Sequence, residues 1–294
     1  MTTAESWLDR RQLTRDFDAA AATYDAAAVL QREVVARLDE RLDFMRLAPV
    51  CMLDLGCGVG RGARLLAKRY RKAHTLQLDI AAGMLQQARR HSPRWFSRQH
   101  FLQADAQQLP LAMHSVDLIF SSLTLQWLPQ PLALFREALR CLKPGGLLLF
   151  ATLGPDTLKE LRASWAAVDH LPHVNPFMDL HDIGDLLVQG GFADPVMEAE
   201  TLQLTYSDSS KLVRELKQIG AQNALSDRRR SLTGRRRWQA MLAAYESFRV
   251  DGRLPASYEV IYGHAWKPQK PLNEHRAPGE IRVPLDSLRR TAPE

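Results

Sequence analysis

Leu53-Asp54-Leu55-Gly56-Cys57-Gly58-Val59-Gly60 is the stretch that decides the fold. It continues the apolar run Val50 to Leu55, which reads as a buried strand, and it precedes Ala63 to Tyr70, whose spacing predicts a helix. Glycines between a strand and a helix let the backbone turn sharply and let a ligand approach where a Cβ would collide. A dinucleotide-binding loop would carry its third glycine where this chain has Arg61, so the pyrophosphate fingerprint fails. A carboxylate, Asp54, instead stands two residues before the first glycine. It would repel a diphosphate and suits a ligand with a cationic amino group.

Working outward, strand and helix alternate. Thr75 to Leu78 reads as a second strand ending at Asp79, and Ala82 to Arg90 as a helix. His100 to Gln103 is a third strand, closed by Asp105; Val116 to Phe120 is a fourth and Pro131 to Leu142 a helix. Lys143-Pro144-Gly145-Gly146 predicts a turn before a fifth strand, Leu147 to Thr152. Short apolar strands separated by helices imply an α/β, doubly wound, mostly parallel sheet covered on both faces. Such sheets bind ligands beyond the carboxyl ends of their strands. Three carboxylates close successive strands there: Asp54, then Asp79 placed to grip a ribose diol, then Asp105 placed to accept from an adenine amino group. S-adenosylmethionine offers all three partners and has no phosphate.

Upstream, Trp7, Leu8, Leu13 and Phe17 recur at helical spacing, and Val29 to Met45 is a second amphipathic stretch that Pro49 ends. Downstream, Gly154 to about Gly191 reads as mainly helical. Val196 to Tyr206 and Tyr258 to Trp266 are β-rich, with a long helical insertion between them. The expected organisation is N-terminal helices over the cofactor (1–48), then the main domain (49–268) with helical insertions at about 154–191 and 207–252. A Pro-rich, charged tail (269–294) is expected to be disordered.

The chain has 294 residues, 46% of them hydrophobic, enough for one large core. No apolar run approaches a bilayer span, and Glu5, Asp9, Asp16 and Asp18 argue against a signal peptide, so a cytoplasmic location without membrane contact is expected. Cys51, Cys57 and Cys141 are scattered and without a C-x-x-C pair, which points away from disulfides and a metal site. Within a net charge of +6, Arg228-Arg229-Arg230 and Arg235-Arg236-Arg237 form two basic clusters. They read either as a solvated helix face or as a docking patch for an acidic partner.

LDLGCGVG, LQLDI, QADAQQLP and LKPGG resemble, in order and spacing, the motifs of the class I S-adenosylmethionine-dependent methyltransferases over residues 10 to 155. That resemblance implies a seven-stranded, Rossmann-like sheet, parallel but for one strand. It implies that Asp54 and Gly56 sit near the methionine moiety, Asp79 at the ribose and Asp105 at the adenine, with Cys57, Gly58, Gly60, Ile80, Met84 and Ala106 also binding the cofactor. Ser121 and Ser122 would face the reacting centre, and Phe17-Asp18-x-x-Ala21-x-x-Tyr24-Asp25 looks like a helix folded over the cofactor, with Tyr24 near the sulfonium. Core packing is the alternative for Tyr24.

Further strings are more specific: Thr152 to Leu161 (TLGPDTLKEL), His173 to Asp179 (HVNPFMD), His181-Asp182-Ile183-Gly184, Tyr206-Ser207-Asp208, Ile219 to Asn223, Leu232-Thr233-Gly234 and Tyr258 to Trp266. Together they closely resemble the malonyl-acyl-carrier-protein O-methyltransferases of biotin synthesis, over residues 10 to 268. The resemblance implies methylation of the free carboxylate of malonyl-acyl carrier protein, or malonyl-CoA, with S-adenosylhomocysteine as by-product. The methyl ester hides a charge and lets the chain be extended toward pimelate. A carboxylate is already ionised, so no general base and no metal are expected, and catalysis would rest on positioning and desolvation. Tyr24, Gln126, Trp127, His173 and Asn175 are the positioning candidates, although Trp127 also reads as core and His173 as a structural loop histidine. The arginine clusters acquire an acidic carrier protein as partner; nucleic acid is not expected, because aromatics are not interleaved with the basic runs. A cofactor-binding assembly or hydroxylation factor and a methyltransferase of nucleic acid or of a small carboxylate remain the alternatives.

Overall fold

The computed structural model describes residues 7–93 and 97–269. The tail expected from 269 onward lies, from residue 270, outside the described residues. Ten α-helices and seven strands follow one another among the described residues. They begin with α1 (Arg10–Ala20), α2 (Tyr24–Ala27) and α3 (Val29–Glu40). Then come β1 (Cys51–Leu55), α4 (Arg61–Arg69), β2 (His74–Asp79), α5 (Ala82–Arg90), β3 (Gln99–Gln103), β4 (Val116–Ser122), α6 (Pro131–Cys141) and β5 (Leu142–Leu153). The chain finishes with α7 (Lys159–Ala166), α8 (Leu180–Gln189), β6 (Ala193–Tyr206), α9 (Ser209–Gln218), α10 (Arg235–Glu246) and β7 (Leu254–Trp266).

The strands form one sheet in the order β3-β2-β1-β4-β5-β7-β6, with β7 antiparallel to both neighbours and the rest parallel. The fold is the expected seven-stranded doubly wound sheet. Central strands are apolar throughout because both their faces are covered. Met52, Leu118 and Leu149 pack toward α3, α4, α7 and α10, whereas Leu53, Ile119 and Leu148 pack toward α6 and α8. Strand order reverses between β1 and β4, which opens a crevice at their carboxyl ends. No helix among the described residues is long and apolar enough to cross a membrane.

Three local expectations need correction. The helix from Val29 does not run to Met45: it stops at Glu40 and tightens into a 3-10 turn over Arg41–Phe44, before Pro49 is reached. Asp39 and Asp43 both bind Arg69 there, drawing the end of the helix onto α4. Lys143 to Gly146 is not a free turn but a bulge inside β5, where the register against β4 jumps from Val116↔Leu142 to Leu118↔Leu147. Backbone bonds between Gly145, Gly146 and Lys267 hold the bulge, and the Lys267 ammonium donates to the carbonyls of Leu139 and Leu142 at the end of α6. Finally, the segments read as helical are only partly so. An irregular stretch, 167–179, separates α7 from α8, and 219–234 separates α9 from α10. Arg228, Arg229 and Arg230 therefore sit on a loop, bounded by Gly220 with φ +76° and by Gly234, which precedes α10.

The string Thr152 to Leu161 is a buckle. After β5 the chain folds back and fastens to β7: Gly154 N–H donates to Glu259 O, Leu158 N–H to Ser257 O, and the Thr157 hydroxyl both donates to and accepts from the Glu259 backbone. A Cβ on Gly154 would lie 2.5 Å from the Glu259 carboxylate, which would have to shift from its bond to the Asp156 N–H. Glu160, 5% exposed, accepts from the Ser257 N–H at 3.1 Å and the Ser257 hydroxyl at 2.5 Å. Replacing Glu160 with Ala strands both buried donors and should lower stability by about 2 kcal/mol or more. A urea midpoint measured beside Glu160→Gln, which keeps an acceptor, checks this; an unshifted midpoint for Glu160→Ala would refute it.

Candidate active site

Three adjoining cavities open along the carboxyl edge of the sheet, and Tyr24 lines all three. The first, about 740 Å³, is roofed by α1 and floored by the ends of β1 to β4; Asp79, Ile80, Met84, Asp105 and Ala106 line it. The second is a smaller neighbour lined by Asp54 and Cys57, and it shares Gly56, Gly58 and Ser122 with the first. Asp79 and Asp105 thus share one cavity and Asp54 stands in its extension, with the glycine turn between them. The third, about 800 Å³, meets the first across a wall of Phe17, Tyr24, Leu123 and Trp127.

The turn is built by backbone hydrogen bonds. The N–H groups of Gly56 and Cys57 both donate to Leu78 O at 2.8 and 2.9 Å, and Gly58 N–H donates to Asp79 Oδ2 at 2.8 Å. Gly56 has φ +69°, and a Cβ there would overlap Thr124. Gly58 has φ +51° with open space where its Cβ would be, so the loop leaves room for a ligand. Asp54, 2% exposed, accepts the Ala63 N–H at 2.7 Å, and burial pushes its carboxyl up to about 7, with Asp79 adding to the rise. Burial also raises Asp79, against the pull of backbone N–H donors including those of Ala81 and Gly58. Cys57 is buried, and desolvation together with Asp79 and Asp54 holds its thiol well above the ordinary range, so it is no nucleophile.

The carboxylates fit a nucleoside with an aminoacid tail. Asp54 keeps one oxygen free of protein donors among the described residues, facing the cavity extension where an ammonium would sit. Asp79 accepts one backbone N–H on each oxygen, from Gly58 and Ala81, and retains lone pairs for a diol. Asp105 is more engaged than expected, pairing with Arg10 at 2.6 Å and accepting from Gln107 N–H at 2.9 Å. Arg10 thereby latches α1 over the first cavity. Asp18, at the far end of α1, accepts from Gly83 N–H at 2.7 Å, and Asp25 pairs with Arg61 at 2.8 Å.

Two residues of the expected cofactor set line none of these three cavities. Ser121 is 3% exposed and donates its hydroxyl to Leu55 O at 2.9 Å, because β4 runs two residues past Phe120 and alternation turns Ser121 into the sheet. Its neighbour Ser122 lines the cavities. Gly60 has φ +78°, and a Cβ there would lie 2.5 Å from Gln77 Oε1 on β2 and 3.0 Å from Ala88 Cβ on α5, so it serves the close packing of the start of α4 against both.

Gln126, Trp127, His173 and Asn175 all line the third cavity. Gln126 is fixed by donating to Leu123 O and accepting from Thr152; Trp127 stands edge-on to Phe17 with centroids 5.5 Å apart. His173 bonds Asp169 at 2.8 Å and stacks on Trp165 at 3.7 Å, so its ring is locked. Asn175 is 7% exposed, and its carboxamide has no protein partner among the described residues. Thr157, Leu158, Gln222 and Tyr258, not singled out individually from sequence, join them. Their signal lay in the strings themselves, for each of four distant motifs (152–161, 173–179, 219–223 and 258–266) sends at least one side chain into this space. Leu123 and Leu158, both on its wall, have φ +55° and +54°. Leucine rarely adopts that conformation, and backbone strain of this kind concentrates at functional sites.

Of the arginines, Arg228 is not available to a partner, since it pairs with Asp9 at 3.1 Å and donates to Leu225 O, pinning the loop to the start of α1. Arg229, Arg230, Arg235, Arg236 and Arg237 are exposed, as is Leu232 at the tip of the loop between them.

Residues 53–150 match the family model described as a methyltransferase domain. The malonyl-[acyl-carrier protein] O-methyltransferase of Laribacter hongkongensis is 52% identical over 269 residues, covering 89% of this chain and 91% of that protein. The protein of the same name from Methylovorus sp. is 52% identical over 91% of this chain and 92% of its own. Among solved structures, phosphoethanolamine N-methyltransferase 2 of Haemonchus contortus shares the fold, with a TM-score of 0.53, 18% identity, and coverage of 86% of this chain and 57% of that one. With such identity along nearly its whole length, the chain belongs to the malonyl-[acyl-carrier protein] O-methyltransferase family.

Proposed function

We propose that the protein transfers the methyl group of S-adenosylmethionine to the free carboxylate of a malonyl group carried as a thioester on acyl carrier protein, in the cytosol. The observation that carries the reading is the convergence of four sequence-distant motifs on one cavity that meets the carboxylate-lined cleft across Phe17, Tyr24, Leu123 and Trp127. In this reading Asp54 binds the cofactor's ammonium, Asp79 its ribose hydroxyls, and Ile80, Met84, Asp105 and Ala106 enclose the base. The cofactor supplies an electrophilic methyl. The acceptor oxygen forms the new C–O bond as the C–S bond breaks, the electron pair stays on sulfur, and no proton moves.

What the protein contributes is alignment and dryness. Trp127 is braced by Phe17, and Gln126 by Leu123 and Thr152, so the wall between the cavities is rigid. The carboxamide of Asn175, on the cavity wall, is a donor for the malonyl oxygens or the thioester carbonyl. Outside, the exposed arginines and Leu232 offer an acidic carrier protein a cationic face with an apolar tip.

Incubation with methyl-labelled cofactor and, in turn, malonyl carrier protein, a free malonyl thioester and RNA tests the assignment. Base-labile ester label on the malonyl group is expected, and label confined to RNA or absent altogether would refute it. Charge reversal of Arg229, Arg230 and Arg235 together should raise the KM for malonyl carrier protein about tenfold and leave a free malonyl thioester unaffected; equal loss on both acceptors would remove the docking role.

Asp54 gives the cofactor site a pH signature. Its carboxyl, lifted to about 7 in the free protein, must ionise to pair with an ammonium, so binding releases a proton below that pH. Affinity should fall up to about tenfold per pH unit below 7 and level off above 8. Calorimetry in two buffers of different ionisation enthalpy reads the proton directly. The same elevated value means that the ionised group opposes folding above pH 7. Asp54→Asn should therefore raise the thermal midpoint at pH 8 while weakening cofactor binding at least tenfold and flattening its pH profile. A variant that binds with an unchanged pH profile would refute the role.

A further inference from the structure

Among the described residues that line the acceptor cavity there is no lysine, arginine, aspartate or glutamate. Its polar groups are amides and hydroxyls, including Gln126, Asn175, Gln222 and Tyr258. The single imidazole, His173, is hydrogen-bonded to Asp169 at 2.8 Å. The chain's abundant arginines stay out of the lining: Arg162, exposed, donates to the backbone carbonyls of Thr157 and Asn175 at 3.4 Å, and Arg237 reaches Asp169 at 3.9 Å. A pocket that receives an anion and offers it no cation contrasts with the usual bidentate arginine clamp.

The reaction explains the contrast. A carboxylate and a sulfonium enter, a neutral ester and a neutral thioether leave, and both formal charges fade along the reaction coordinate. An arginine would hold the carboxylate most strongly before reaction and lose that hold at the transition state, so it would deepen the ground state and raise the barrier. An anion without a partner in a partly dry cavity is nevertheless poorly bound. Across the Phe17, Tyr24, Leu123 and Trp127 wall lies the cleft assigned to the cofactor, where Asp54 and Asp79 each accept backbone N–H groups and are assigned to its ammonium and its ribose.

We propose that this uncharged lining makes the cofactor's sulfonium the sole counter-ion of the acceptor carboxylate, so that acceptor affinity is set by the charge of the cofactor occupying the neighbouring cleft. The inference rests on the function proposed above and deepens it. It makes binding ordered, cofactor before acceptor, and it makes the neutral by-product a poor platform for a second acceptor.

The test is equilibrium binding, not turnover. The affinity of malonyl-pantetheine is measured for protein saturated with sinefungin, an analogue with an amine at the sulfonium position, and for protein saturated with neutral S-adenosylhomocysteine. Binding at least tenfold tighter with the cationic analogue is expected. The methyl ester of the same probe, which has no charge, should show no preference. Equal affinity of the carboxylate in the two complexes would overturn the proposal. Ala221→Lys, on the cavity wall in the segment after α9, supplies a resident cation. It should erase the preference, lower the KM for the malonyl acceptor and lower kcat; a lowered KM with undiminished kcat would contradict the argument, and the wild-type comparison stands should the variant fold poorly. A wild-type protein that methylates malonyl thioester yet binds it indifferently to cofactor charge sinks this inference alone, whereas one that never labels malonyl sinks both.

Discussion

The structure depends on holding two carboxylates, Asp54 and Asp79, inside a desolvated sheet edge. Burying an anion is costly unless hydrogen-bond donors surround it. Here the donors are backbone N–H groups of Gly58, Ala63 and Ala81, oriented by the turn between β1 and α4 and by the start of α5. The glycines at 56, 58 and 60 are what permit that turn, for all three take positive φ. Parallel pairing of β1 with β2 then brings Asp79 level with the turn, and Leu78 O accepts from Gly56 and Cys57 to lock it. Asp54 is left with one donor, from Ala63, and an oxygen that a cation could pair with.

This part of the molecule was legible because it is local. Spacing alone set the glycine turn, the acids at three strand ends and the alternation that demands a parallel sheet. Errors arose where a side chain's direction or partner is fixed by something distant. Ser121 and Ser122 differ by one step of strand alternation, and only the true end of β4 decides which faces the cleft. Arg228 looks like its neighbours until Asp9, 219 positions away, claims it. Gly60 belongs to the right loop yet answers to Gln77 on β2.

The acceptor cavity was legible only as resemblance. Its walls come from the buckle after β5, the irregular stretch before α8, the segment after α9 and the middle of β7. No periodicity connects these pieces, and they meet because β7 inserts antiparallel between β5 and β6 and brings Tyr258 beneath Leu158 and Leu161. The buckle shows why the string Thr152 to Leu161 is unusual: Gly154, Thr157 and Glu160 each answer to one of two residues on β7, Ser257 or Glu259. Their spacing records a hydrogen-bond pattern, and the residues between them, Leu158 above all, are thereby held in the cavity.

Charge is then partitioned by depth. The exposed loop carries arginines that can meet an acidic protein at long range, where screened attraction speeds encounter and requires no desolvation. The acceptor cavity carries none, where a fixed cation would bind the reactant too well. The cleft behind it carries carboxylates that attract a cationic cofactor. In the proposed reaction, a carboxylate passing from the surface to the wall at Trp127 leaves a cationic face, crosses a lining without lysine or arginine and ends beside the cleft assigned to the cationic cofactor. That gradient follows from where Asp9, Asp54 and Asp169 sit, since Asp9 and Asp169 each retain an arginine at the periphery and Asp54 leaves an acceptor at the centre for a ligand's cation.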